Sequence, residues 1–356
     1  MKILSKINWH ILISGLLLIS IGILVIYSSS YELALQLLIY TVVGLAFFLI
    51  VSQLDLYSLT KIITPLYFFI LLLLTIVLIL GIETRGSVRW IPIGSFNIQP
   101  SEFAKPVLIL ALASFWTNNV PTWTNILRSL LRALPLVFLI FKQPDLGTSA
   151  TLFAIWVGML FASQVSIKKI FILIAIAMLV IPTSWLFLHE YQKQRIIGFL
   201  QPETDPLGRG YNLIQSTIAV GSGQFLGRGL GRGPQSRLQF LPEFRTDFIF
   251  ASIAEEMGFL GSLIILSIYL YLLTFFLIVA NQSNSRFNFL LILGSFSMLL
   301  FQVFVNIGIN IGLLPITGIT LPLISYGGSS SVATLICLGI VASAARDKKR
   351  IDTEVN

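Results

Sequence analysis

Asp247 stands where the longest polar stretch of a very apolar chain gives way to an apolar run, in LPEFRTDFIFASIAEEMG. The stretch from Glu190 to Phe248 covers 59 residues and holds seven of the 23 Lys/Arg and five of the 15 acidic residues. An ionisable group at a membrane boundary is costly unless it is used, so Asp247 is a reaction-centre candidate by default. A structural role competes with that reading. Thr246 could cap the helix that follows, with Asp247 in its first turn satisfying orphan amides, worth about 1 kcal/mol. Below Asp247 the helical face carries Ala251, Ala254 and Gly258. Small residues there suit close helix packing, or leave space for a ligand beside the carboxylate. The helix dipole lowers the pKa of Asp247 and desolvation raises it, and sequence does not decide between them.

Three further constellations carry polar chemistry. In ETRGSVRWIPIGSFNIQPSEFAK, Pro100 is placed to start a helix, and Glu102 and Lys105 lie three apart on one face. They form either an ion pair that cancels two charges in the membrane or a polar cavity wall with Lys105 open to an anionic headgroup. The segment DPLGRGYNLIQSTIAVGSGQFLGRGLGRGPQSR sets Arg209, Arg228, Arg232 and Arg237 among eight glycines. Such a segment can bind phosphate through backbone N–H groups and guanidinium forks. It can equally be a solvated loop touching anionic lipid, and it matches no Walker or dinucleotide fingerprint. Its NLIQSTIAV piece is amphipathic and suits a membrane surface. In NIGINIGLLPITGITLPLISYGGSSS, Asn306, Asn310, Pro315, Pro322 and the Gly327-Gly328-Ser329 cluster are expected to interrupt a helix and line a cavity. Asp145, in KQPDLGTS, is expected to be a helix cap. Cys337 is single, His10 and His189 are the only histidines, and no Cys/His cluster has metal-ligand spacing.

The elements that must position these groups are membrane helices. The chain is 56% apolar and 11% charged, against about a quarter charged in soluble domains. The net charge of +8 gathers beside apolar spans, where it reports orientation and not nucleic-acid binding. Ten spans are expected, at 9–27, 33–51, 62–82, 101–116, 130–141, 147–162, 168–188, 248–280, 287–309 and 321–344. The run 130–141 is short and carries Pro135. Residues 9–27 lack a cleavage-site pattern and read as a span, not a leader. With the N-terminus cytoplasmic, inside segments hold twelve Lys/Arg, and outside ones hold only Arg85, Arg89 and Lys142. Both termini are then cytoplasmic. The expected organisation is one all-α polytopic membrane domain over 1–356, with a long extracytoplasmic loop at 189–247 and a short, frayed cytoplasmic tail at 345–356. There is no internal repeat.

QPSEFAK (99–105), KQPDLGTS (142–149), FLQPETDPLGRGYNLIQSTIAVGSG (199–223), LPEFRTDFIFASIAEE (241–256) and LPLISYGGSS (321–330) occur in that order. Across almost its whole length the chain resembles the SEDS proteins, the RodA/FtsW family of peptidoglycan glycosyltransferases. The short N-terminus near Asn8-Trp9 and the 356-residue length lean towards RodA, although GLLPITGITLPLISYGGSS is worded more like FtsW.

The resemblance implies a ten-helix fold in the bacterial cytoplasmic membrane that polymerises lipid II at its outer face. Asp247 then matches the essential aspartate, as general base on the acceptor hydroxyl, and Glu102 and Lys105 match the family's cavity pair. Candidates for binding substrate or offsetting pyrophosphate charge are Glu102, Lys105, Arg195, Arg209 and Arg245, and a divalent cation could serve the same purpose. Gln99, Ser101, Thr246, Ser325, Gly327, Gly328 and Ser329 are the cavity-lining candidates. Where the family often has His before the Thr-Asp pair, this chain has Arg245, which speaks against a histidine relay and for an ionised Asp247. The expected partner is a class B penicillin-binding protein transpeptidase. Two other classes stand against the enzyme. A lipid II flippase needs charges lining the midplane, whereas these cluster at one edge; a non-catalytic scaffold would leave Asp247 a cap.

Overall fold

The computed structural model describes residues 8–80, 82–84, 87–93, 96–184, 186 and 190–354. Arg85 and His189, named above, and Lys2 and Lys6, two of the twelve Lys/Arg counted in inside segments, lie outside them. Among the described residues ten helices have 17 or more residues: α1 (Trp9–Ser29), α2 (Tyr31–Gln53), α3 (Leu56–Leu80), α4 (Pro100–Thr117), α5 (Trp123–Lys142), α6 (Leu146–Ala162), α7 (Ile167–Ser184), α11 (Ile249–Asn281), α12 (Arg286–Asn310) and α13 (Gly328–Glu354). Shorter helices α8 (Glu190–Leu200), α9 (Tyr211–Ser222) and α10 (Pro234–Arg237) lie between α7 and α11. Seven of the long helices are long and apolar enough to cross a membrane, and α6 is a shorter apolar one. This is an all-α polytopic membrane fold.

Local chemistry sets the helix starts. Ser30, Thr122, Asp145 and Ser285 each accept a backbone N–H three residues on, and Pro100 opens α4 where a missing N–H costs nothing. Asp145 is therefore the cap expected of it. α5 runs through Pro135 and begins at Trp123, so the doubtful span at 130–141 is the second half of a 20-residue helix.

Three expectations about elements need correcting. The last helix starts at Gly328, not 321, because Leu321–Gly327 forms turns. Asn306 and Asn310 do not break α12; helix continues to Asn310, and the irregular backbone is confined to 311–327. The segment before α4 is not plain loop but three short antiparallel strands, β1 (Ile82–Thr84), β2 (Ser87–Ile93) and β3 (Phe96–Ile98), in the order β1-β2-β3. Alternation in SVRWIPI is short and interrupted by Pro92, too weak a period-2 signal beside a long apolar run. The tail continues as helix to Glu354.

α4 and α13 form the centre. Leu108, Leu112, Trp116, Cys337 and Val341 are all fully buried, while apolar residues of α2, α3 and α7 face outward, as lipid solvation permits. α13 lies along α2, where a Cβ on Gly44 would meet Leu335 at 2.5 Å. That approach is the small-residue packing by which membrane helices associate.

Candidate active site

The helix heads and loops around Asp247 meet at one end of the bundle. Its main chain is fixed before its side chain is considered. The Asp247 carbonyl accepts hydrogen bonds from Asn306 Nδ2 and Asn310 Nδ2, both at 2.9 Å, and Asn310 Oδ1 accepts Ala251 N–H at 2.8 Å. Both asparagines are fully buried on α12. Ser325 Oγ donates to the Thr246 carbonyl at 2.6 Å, and Tyr326 N–H donates to the Arg245 carbonyl at 2.8 Å. The Arg245-Thr246-Asp247 backbone is thus held by α12 on one side and the Leu321–Gly327 turns on the other.

These contacts decide against the capping role. The N-cap of α11 is Phe248, and no side chain caps it. Thr246 Oγ1 donates to the Glu243 carbonyl and side chain instead, at 3.2 and 3.0 Å. Asp247 is partly buried, and Gly318 lies so close that a Cβ there would sit 3.7 Å from Oδ2. Burial and the nearby Glu243 carboxylate push the Asp247 carboxyl up to about 6; Asp145 adds to this, and Arg195 and Arg89 oppose it. A carboxylate poised there can take a proton from a hydroxyl near neutral pH.

Two cations face this carboxylate from different elements. Arg89 on β2 donates from Nε to the Gln143 carbonyl at 2.8 Å, bonds the Pro144 carbonyl, and lies 3.9 Å from Asp145. Asp145 also accepts from Gln99 at 3.0 Å and Ser101 at 3.4 Å, and Gln99 N–H donates to Ser329 Oγ at 2.9 Å. Arg195 on α8 reaches the Ile316 carbonyl at 3.4 Å. It lines a cavity of about 210 Å³ with Gln194, Arg209, Asn212, Leu213 and Ile316. The loop 316–318 joins the two features, since Ile316 lines the cavity and Gly318 abuts Asp247.

A family model described as "Cell cycle protein", of the FtsW/RodA/SpoVE proteins, matches residues 7–350. The chain belongs to that family. Among relatives, it is 40% identical over 293 residues to the peptidoglycan glycosyltransferase MrdB of Escherichia coli K12, covering 82% of this chain and 79% of that one. It is 34% identical to the stage V sporulation protein E of Bacillus subtilis, covering 94% and 96%. A solved chain from work titled "Structural coordination of polymerization and crosslinking by a peptidoglycan synthase complex" superposes with a TM-score of 0.83 at 33% identity, covering 96% of this chain and 98% of that one. The rod shape determining protein RodA of Thermus thermophilus superposes at 0.73 and 28% identity, covering 96% and 97%.

Of the residues singled out in this FtsW/RodA/SpoVE chain, Asp247, Thr246, Ser325, Gln99, Ser101, Ser329 and Arg195 gather around one end. Arg209 joins Arg195 in the cavity. Glu102 and Lys105 form a buried ion pair at 2.6 Å, the first of the two roles open to them. Gly328 packs against the Tyr40 ring, and Gly327 accepts Ser331 N–H. Arg245 turns away from Asp247: its guanidinium donates to Ser29 Oγ at 2.9 Å and to the Ser29 carbonyl at 3.2 Å, tying the segment to α1. The charge assigned to it in favouring ionised Asp247 comes from Arg195 and Arg89.

The glycine-rich loop has structural work. Arg228 N–H and Gly229 N–H donate to the Glu255 and Glu256 carbonyls, Arg228 Nε donates to Ser222, and Arg237 donates to the Gly231 carbonyl. α9 packs one face on α11 and α12, with Ser216 Oγ bonded to the Asn310 carbonyl. Sequence reasoning missed Arg89 and Gly318 as neighbours of Asp247, because the folds of β2 and 311–327 bring them there, and it missed Glu243 although it lies only four residues before Asp247.

Proposed function

We infer that the protein is a peptidoglycan glycosyltransferase that polymerises lipid II at the outer face of the bacterial cytoplasmic membrane. Asp247 takes the proton of the acceptor's GlcNAc 4-hydroxyl as that oxygen attacks the anomeric carbon of the donor sugar. The bond from that carbon to the pyrophosphate breaks with its electron pair, undecaprenyl pyrophosphate leaves, and Asp247 returns its proton to solvent. The observation that carries this reading is the carboxylate itself. It is raised to about 6, freed of any capping duty, and fixed through its backbone carbonyl by Asn306 and Asn310 in a chain of the FtsW/RodA/SpoVE family.

The charge bias of the short loops supports cytoplasmic termini and an extracytoplasmic site. The likeness to a chain from a peptidoglycan synthase complex supports a class B penicillin-binding protein as partner, with this chain serving elongation in the manner of RodA, or division. The test is glycan formation from purified lipid II by wild type and Asp247→Asn, each folded, alone and with the cognate transpeptidase. Polymer from wild type only is expected. Equal polymer from both would remove Asp247 from the mechanism, and none from either would overturn the activity.

A further inference from the structure

We propose that the cavity between α8 and the head of α9 is the pyrophosphate subsite, which seats the leaving group of a polyprenyl-linked sugar beside Asp247. Its volume of about 210 Å³ lies below the roughly 300–1,000 Å³ of pockets that engulf a drug-sized ligand, so it takes a compact group, not a disaccharide. Its polar lining is two guanidinium donors, Arg195 and Arg209, with the amides of Gln194 and Asn212, over an apolar floor of Leu213 and Ile316. Two guanidinium forks on one small cavity select an anion with several oxygens, bound through charge-assisted pairs. Asp205 lies 3.4 Å from Arg209 Nε; it is exposed and also accepts Arg209 N–H, so it holds the arginine's turn more than it fills the cavity, and Glu190 accepts Gln194 Nε2 at 3.4 Å from its exposed end of α8. α8 and the Arg209 loop are in backbone contact, since a Cβ on Gly198 would lie 2.7 Å from the Arg209 carbonyl oxygen; the two arginines are therefore set by main chain.

The route from this cavity to the base is one turn of chain. Ile316 lines the cavity, Gly318 abuts Asp247 Oδ2, and between them Thr317 Oγ1 is buried with no hydrogen-bond partner among the described residues. A buried hydroxyl without a partner, between an arginine cavity and a carboxylate, fits a site that a polar ligand completes. The geometry also sorts the other cations. Lys105 is bonded to Glu102 and Arg245 to Ser29, and neither lines the cavity, whereas Arg195 and Arg209 do. The carrier's identity rests on the glycosyltransferase reading; the anion does not.

The experiment titrates full-length protein in lipid nanodiscs with undecaprenyl pyrophosphate and, separately, with inorganic pyrophosphate. Wild type is expected to bind the lipid, while Arg195→Gln and Arg209→Gln each weaken it at least about tenfold and weaken inorganic pyrophosphate in the same order. Arg195→Lys and Arg209→Lys, which keep the charge and lose the fork, should fall between, and this guards against variants that merely misfold. Unchanged lipid affinity in the Gln variants, inorganic pyrophosphate indifferent to them, or Lys no better than Gln would each overturn the proposal. Lipid II polymerisation by the same wild-type sample separates the two ideas. Arginine-dependent binding without polymer sinks the glycosyltransferase reading and keeps the site; polymer with arginine-independent binding does the reverse.

Discussion

At the scale of the residue, the account turns on a carboxylate that the fold keeps at a cost. Asp247 is shifted upward chiefly by burial and secondly by Glu243. For an acid whose folded pKa is raised, the stability it contributes is present below its unfolded value and is lost as pH rises through about 6. Ionised Asp247 therefore destabilises the protein at neutral pH. Asp247→Asn is expected to raise thermal stability, by about 2 kcal/mol at pH 7.5 and by about half as much at pH 5, while abolishing polymerisation. Differential scanning of both proteins at the two pH values checks it, and a variant no more stable at pH 7.5 would contradict the strain assigned to the carboxylate. Gly318 is the complementary case. Its φ of +78° favours glycine, and a Cβ would crowd Oδ2. Gly318→Ala should cost about 1–2 kcal/mol and reduce turnover, measured by melting and by initial rate.

At the scale of the element, the site depends on a helix that is broken on purpose. Gly258 interrupts α11 at φ 67° and ψ −163°, a conformation open to glycine almost alone. The amides and carbonyls freed there are met by the glycine-rich loop: Phe259 and Leu260 N–H donate to the Gln224 and Phe225 carbonyls, and Arg228 and Gly229 N–H donate to those of Glu255 and Glu256. Glu255, fully buried, then accepts Gln235 N–H, Ser236 N–H and Ser236 Oγ at 2.8–3.1 Å. The short segment of α11 next to Asp247 is thus welded to the loop and not to the rest of its own helix. Gly258→Ala would place a Cβ 2.3 Å from Gly227 N in forbidden backbone, and it should abolish accumulation of folded protein. Asn310→Ala, which unties both the Asp247 carbonyl and Ala251 N–H, should cost about 2–3 kcal/mol and lower the catalytic rate more than substrate affinity. An Asn310→Ala protein with full activity would show that backbone anchoring does not position the base.

At the scale of the molecule, the long helices were legible in sequence and the polar segments between them were not. Long apolar runs mark α1, α2, α11 and α12 to within two residues, because burial in lipid demands length and composition together. Where polar residues carry the fold, the pattern is silent. The strands at 82–98 carry no clear alternation, and the bonds of Arg228 and Gly229 N–H to Glu255 and Glu256 and of Tyr326 N–H to the Arg245 carbonyl join segments far apart in the chain. The same holds for the site. Asp247 stood out as a charge at an apolar boundary, whereas its neighbours Gly318 and Arg89 come from segments far from it in the chain.

The measurement that tests the central claim most directly is the pH dependence of initial lipid II polymerisation for wild type and Glu243→Gln. Wild type should lose activity as pH falls through about 6, and Glu243→Gln, which removes a repulsive charge beside Asp247, should move that midpoint lower. A rate that is flat from pH 5 to 8, or a midpoint indifferent to Glu243, would contradict Asp247 as the general base.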